Sequence, residues 1–197
     1  MDTLKERVWH GIRQMVQTPY GVVFKPVDAG IVPVVKALKK VGIPTTISCY
    51  GHMEVGGDGP YVEVESPKAM KLQMQLDTDQ FFPISREYEI LVEEIEELNL
   101  AEHRKLLQLI GAFYKHREPL ACINRALRVI GFQEEDRLVV RSKSFDKARL
   151  ESQGTRFLRS VGSNGIRAKK LRRYRREIEA FAAFLEMGMF LPQIKRS

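Results

Sequence analysis

From Arg86 to Phe132 apolar side chains recur at three- and four-residue steps, and this stretch constrains the fold more than any other. Tyr88, Leu91, Val92, Ile95 and Leu98 form one stripe, Leu106, Leu109, Ile110 and Phe113 a second, and Leu120, Ile123, Leu127 and Ile130 a third. That spacing places each set on one side of an α-helix, so the chain must find partners for a long amphipathic helical region. Breaks are expected at Asn99 and at Glu118-Pro119.

The first eighty residues read differently. Residues 2–17 carry Leu4, Val8, Ile12, Met15 and Val16 at helical spacing, and GVVFKPV after Pro19 has the apolar run of a strand. Asp28 is placed to cap a helix running to about Lys40, which Gly42 stops; Pro33 moves its start later, because proline is tolerated only in a first turn. IPTTISC at 43–49 is β-branched, and YVEVE at 61–65 alternates as a half-buried strand does. Ser66 and Pro67 then open a short helix through Leu76.

These elements predict a predominantly helical α+β fold, with a small α/β unit over residues 1–82 built on a mixed sheet with covering helices. A helical region follows over 83–197, ending in a basic helix at about 166–189. Within it, RLVVRS at 137–142 reads either as an edge strand or as an extended linker. FDKARLESQGTRFLRSV reads as a weak helix interrupted at Gly154, and GSNG at 162–165 as a loop.

Composition narrows the setting. Hydrophobic residues make up 44% and charged residues 29%, the balance of an ordered globular chain. Cys49 and Cys122 are the only cysteines, far apart and without repeated spacing, which points away from a disulfide framework and toward a reducing, cytoplasmic compartment. The opening MDTLKERVWHGIRQM lacks the apolar core of a secretory signal, and no stretch approaches the roughly 18 apolar residues of a membrane span.

The net charge of +7 is unevenly placed. Residues 137–197 hold 16 Lys and Arg against 5 Asp and Glu, while residues 1–136 hold 16 against 20. Arg167, Lys169, Lys170, Arg172, Arg173, Arg175 and Arg176 crowd the first half of the last helix, where the macrodipole and mutual repulsion both oppose them. Such a cluster is the footprint of nucleic acid, DNA or RNA undecided, or of another polyanion such as an acidic protein or lipid. The competing reading has these cations solvate a surface helix or pair within the chain, the acidic run EEIEEL at 93–98 being close in composition. Tyr174 falls on the apolar side of the helix, so no base-stacking platform is evident there.

A second candidate lies in VDAGIVPVVKALKKVGIPTTISCYGHMEV, where Thr45, Ser48, Cys49, Gly51 and His52 end a strand. This segment resembles the opening unit of the wybutosine-synthesis methyltransferase-like family, in which a helix leads to a Thr-rich strand and a Ser-Cys-small-Gly-basic turn. His52 stands at the basic position. It also resembles small uncharacterised bacterial and phage proteins with a T-x-x-S-C-x-G-H turn followed by a P-Y-[IV] strand, here Pro60-Tyr61-Val62. The resemblance covers about 40 residues and implies a helix–strand–turn unit and a phage-like or mobile-element setting. No glycine-rich loop of the G-x-G-x-x-G kind follows a predicted strand, so no cofactor is assigned.

The chemistry of Cys49 and His52 leaves several roles open. The two are spaced to share a metal, but His103, His116 and Cys122 stand at no diagnostic spacing, and no metal is assigned. They could form an activated nucleophile or line a pocket for an anionic or nucleotide-like ligand, or Cys49 could be a buried apolar residue and His52 a partner for local hydrogen bonds. The leading expectation is thus a nucleic-acid-associated binding protein acting through its basic helix. The runner-up is an enzyme or ligand-binding protein with its site at the Cys49–His52 turn. A homo-oligomer is compatible with either.

Overall fold

The computed structural model describes residues 9–18, 21–53, 57–78, 85–127, 134–158 and 160–188, with the side chains of 9–26, 118–127 and 146 outside that description. Two antiparallel strands open it, β1 (Trp9–Thr18) and β2 (Gly21–Val27). The helix expected over residues 2–17 is corrected here: residues 9–18 pair with the apolar run that follows them. Spacing that suits one helical face is weak in a segment that also contains Gly11 and has an extended partner next in sequence.

Helix α1 (Val32–Lys40) starts after Asp28, with Pro33 in its first turn, and buries Val34, Val35, Ala37 and Leu38. Gly42 ends it at φ +78°, the left-handed conformation that favours glycine. Asp28 is not its cap; the carboxylate instead accepts the Tyr50 N–H at 3.1 Å. Strand β3 (Thr45–Cys49) and β4 (Tyr61–Val64) follow, then α2 (Pro67–Thr78) and α3 (Arg86–Leu127).

Helix α3 runs through both expected breaks. Asn99 is buried at its middle, where its side-chain amide accepts the Ser66 N–H at 2.9 Å and donates to the Phe145 carbonyl at 2.8 Å. A residue that looks like a helix stop in sequence is therefore a bridge, its polar atoms satisfied by two other segments. The backbone also stays helical through Glu118 and Pro119.

Beyond α3 lie β5 (Leu138–Ser142) and β6 (Ala148–Ser152), then α4 (Thr155–Leu158) and α5 (Asn164–Glu186). The weak helix expected around KARLES is instead the strand β6, and GSNG extends into α5, whose first residue is Asn164. The sheet is antiparallel throughout, in the order β3-β4-β6-β5, so RLVVRS is an edge strand. Two of its strands precede the boundary expected at residue 82 and two follow it.

Alternation gives the sheet two unlike faces. Val62, Val64, Leu138, Ala148 and Leu150 are buried with Val34 and Leu38 of α1, Leu106 and Phe113 of α3, and Ile178 and Phe181 of α5. Phe113 meets Phe181 edge-on with ring centroids 5.4 Å apart, a contact worth about 0.5–1.5 kcal/mol beyond its area. The other face pairs charges across strands: Arg149 donates to Glu63, Arg141 to Glu151, and the Arg149 guanidinium lies 3.9 Å from the Tyr61 ring centroid. The first face thus fixes α5 against the sheet, and one side of α5 is committed to the core.

Candidate nucleic-acid interface and the Cys49–His52 turn

Helix α5 buries Leu171, Tyr174, Ile178 and Phe181, which share a face at three- and four-residue steps. Arg167 precedes Leu171 by four and is carried inward with it. Its guanidinium is fully buried and has no carboxylate partner among the described residues; it donates to the carbonyls of His52 (3.1 Å from both Nε and Nη2), Leu158 (2.5 Å) and Gly57. Four residues after Leu171, Arg175 donates to the carbonyls of Tyr50 at 2.8 Å and Gly51 at 2.9 Å and lies over the Tyr50 ring. Two of the seven expected nucleic-acid ligands therefore hold the Cys49–His52 turn.

Two more are neutralised by acids. Lys170 meets both oxygens of Glu135, and Arg173 meets Glu135 and, through Nε at 3.0 Å, Asp136. Burial opposes the charge on Glu135, but the two cations more than offset it and hold that carboxyl below its ordinary value. Intramolecular pairing thus occurs, with 135–136 rather than with the run at 93–98. Lys169, Arg172 and Arg176 remain exposed, with no carboxylate partner among the described residues. Their spacing places them on one outward stripe.

The acids of the same helix differ in exposure: Glu186, in its last turn, is exposed, whereas the two earlier ones are engaged within the fold. Glu177 is buried and accepts from Tyr114 at 2.9 Å and Arg117 at 2.6 Å, and Glu179 accepts the Tyr50 hydroxyl. Over residues 164–180 the exposed charges are accordingly Lys169, Arg172 and Arg176, all positive.

In the turn itself, the Cys49 Sγ lies 3.2 Å from His52 Nε2 and accepts the Gly51 N–H at the same distance. Burial pushes the Cys49 thiol above its ordinary range, and nearby Asp28 and Asp58 act in the same direction; the Gly51 N–H and Arg175 only partly oppose them. The thiol is therefore held in its protonated form beside the His52 ring. Gly51 sits at φ +90°, and a β-carbon there would meet Leu171 Cδ2 at 2.8 Å and the Pro60 nitrogen at 3.0 Å. The His52 N–H closes the turn on the Asp58 carbonyl at 2.9 Å. Cys49 is buried and His52 exposed, so the imidazole is the accessible group.

The remaining expectations scatter. His103 approaches Ser142 at 3.5 Å, His116 lies beside Phe184, and the Cys122 side chain is outside the described residues. Among the described residues no group of three or more His, Cys, Asp or Glu is arranged to hold a metal, and no helix is long and apolar enough to cross a membrane. Sequence reasoning missed Glu135 and Asp136 as partners of α5. It could have separated Arg167 from the outward cations, since Arg167, Leu171, Tyr174 and Ile178 follow the core spacing. Compared with known protein families, well-described proteins and solved structures, the chain matches none.

Proposed function

We propose that this protein binds nucleic acid through the outward face of α5, with Lys169, Arg172 and Arg176 as the phosphate ligands. The observation that carries the reading is the single sign of that face. A helix surface that serves only solubility mixes acids with bases, whereas over residues 164–180 the exposed charges are three cations, Glu177 being buried and the half-buried Glu179 accepting the Tyr50 hydroxyl. Each contact to a phosphate releases counterions, so three contacts give a slope of roughly −2 to −3 in log K against log salt. Anisotropy of labelled RNA and DNA, single- and double-stranded, titrated over several salt concentrations tests this. The expected result is binding at low salt that weakens with at least that slope; no binding to any probe at low salt overturns the reading.

A second reading has its own support. The Cys49–His52 turn is held by two arginines, one of them buried with no carboxylate partner among the described residues, and by a glycine that no other residue replaces without strain. Desolvating a guanidinium is expensive, and a surface turn needs no such anchoring for its own sake. On this reading the turn takes an anionic, nucleotide-like ligand, with the exposed His52 ring as the hydrogen-bonding group and Cys49 fixing the ring. Thermal shifts with a panel of nucleoside mono- and triphosphates check it. Stabilisation of wild type that disappears in His52→Ala supports a site there, and equal or absent shifts in both remove it.

A further inference from the structure

Lys170 and Arg173 lie at the edge of the outward stripe, adjacent around the helix to Lys169 and Arg176. Both converge on one carboxylate. Glu135 receives the Lys170 ammonium at 2.6 and 2.5 Å on its two oxygens and also accepts from Arg173 Nη2. An ammonium and a guanidinium closing on one oxyanion is also the arrangement that grips a phosphate, because carboxylate and phosphate oxygens accept the same charge-assisted hydrogen bonds.

The two acids that meet these cations differ in depth. The Asp136 side chain is 4% exposed and keeps Arg173 anchored through Nε, whereas that of Glu135 is 26% exposed. The backbone of Glu135 is fixed independently, its carbonyl accepting the Gly154 N–H at 2.8 Å. Its carboxylate can therefore leave the cations by side-chain rotation alone, while the local fold stays in place.

We propose that Lys170 and Arg173 form a phosphate seat that Glu135 fills in the free protein and a backbone phosphate fills in the nucleic-acid complex. The seat rests on the reading of α5 as a nucleic-acid interface. It extends the stripe from three cations to five and makes Glu135 a built-in competitor that weakens binding.

The test compares wild type, Glu135→Gln, the double variant Glu135→Gln/Lys170→Gln and the triple variant Lys169→Ala/Arg172→Ala/Arg176→Ala on one labelled single-stranded oligonucleotide across salt. Glutamine keeps the shape of the side chain and removes its charge. Thermal melting of each variant confirms that it is folded. The expected result is tighter binding by Glu135→Gln with the slope of wild type, because the same phosphates are met in both complexes, and loss of that gain together with roughly 0.7 of slope when Lys170 is also replaced. A gain that persists in the double variant, whose net charge equals that of wild type, arises without Lys170 and overturns the seat. So does an unchanged affinity in Glu135→Gln while the triple variant loses binding, a result that leaves the interface itself standing. Absence of binding by wild type and Glu135→Gln alike removes the interface, and the seat with it.

Discussion

Arg167 and Arg172 stand five residues apart on α5. One is fully buried among the backbone carbonyls of His52, Gly57 and Leu158; the other is exposed with no carboxylate beside it among the described residues. The inward group, Arg167 and Arg175, holds a distant turn in place, and Lys170 and Arg173 close on the acids at 135–136. The outward group, Lys169, Arg172 and Arg176, supplies charge and little else to the fold. A count of basic residues treats these groups alike. The difference teaches that only part of a basic helix is available to a polyanion, and that the rest answers a packing need.

Replacing members of each group should separate them by stability. Arg167→Ala leaves three carbonyls, that of Leu158 buried, without this donor and removes a fully buried side chain, and is expected to lower the unfolding free energy by about 3 kcal/mol in urea or guanidinium denaturation. A loss under about 1 kcal/mol would show that the buried guanidinium does not hold the turn. Gly51→Ala tests the same turn from its backbone. The positive φ and the contacts with Leu171 and Pro60 predict a loss of about 2 kcal/mol by thermal melting, and a neutral result would mean that the turn relaxes freely.

The thiol gives a smaller, pH-dependent effect. The folded state holds the Cys49 proton more tightly than the unfolded chain does, so this contribution is complete below the ordinary thiol range and is lost as pH rises from about 9 toward the raised folded value. Tyr50 and Tyr61, both pushed up to about 12 chiefly by burial, add losses of the same sign at higher pH. Comparing unfolding free energies of wild type and Cys49→Ala between pH 8 and 10, wild type should lose more; parallel curves would mean that the thiol is not protected by burial. Smallest of all, Arg172→Ala should change stability by no more than about 0.5 kcal/mol, as expected for an exposed side chain away from packing. A larger loss would place Arg172 with the inward group.

Much of this arrangement could be read from residue order, and the exceptions share a cause. Helix α1, the strands around Ser48 and Val62, and the stripe of α3 follow local periodicity, which sequence displays directly. Strand β6 does not, because five residues with charges at Arg149 and Glu151 become a strand only through pairing with Tyr61–Val64 and Leu138–Ser142. Asn99 has the chemistry of a helix stop and becomes a bridge only because Ser66 and Phe145 arrive beside it. In the same way Cys49 and His52 are close by spacing alone, but the arginines that fix them lie more than a hundred residues away. Glu135 is separated from Lys170 by 35 residues that include two strands and a short helix, so its role is invisible until the sheet is formed.

The claim that the outward face of α5 is a nucleic-acid interface is tested most directly by the salt dependence of binding in wild type and in the Lys169→Ala/Arg172→Ala/Arg176→Ala variant, each first shown to melt at the same temperature. The account predicts that the variant loses roughly 2 to 3 units of slope together with most of its affinity. An undiminished slope in a folded variant would contradict it and would move the contacts away from this face of the helix.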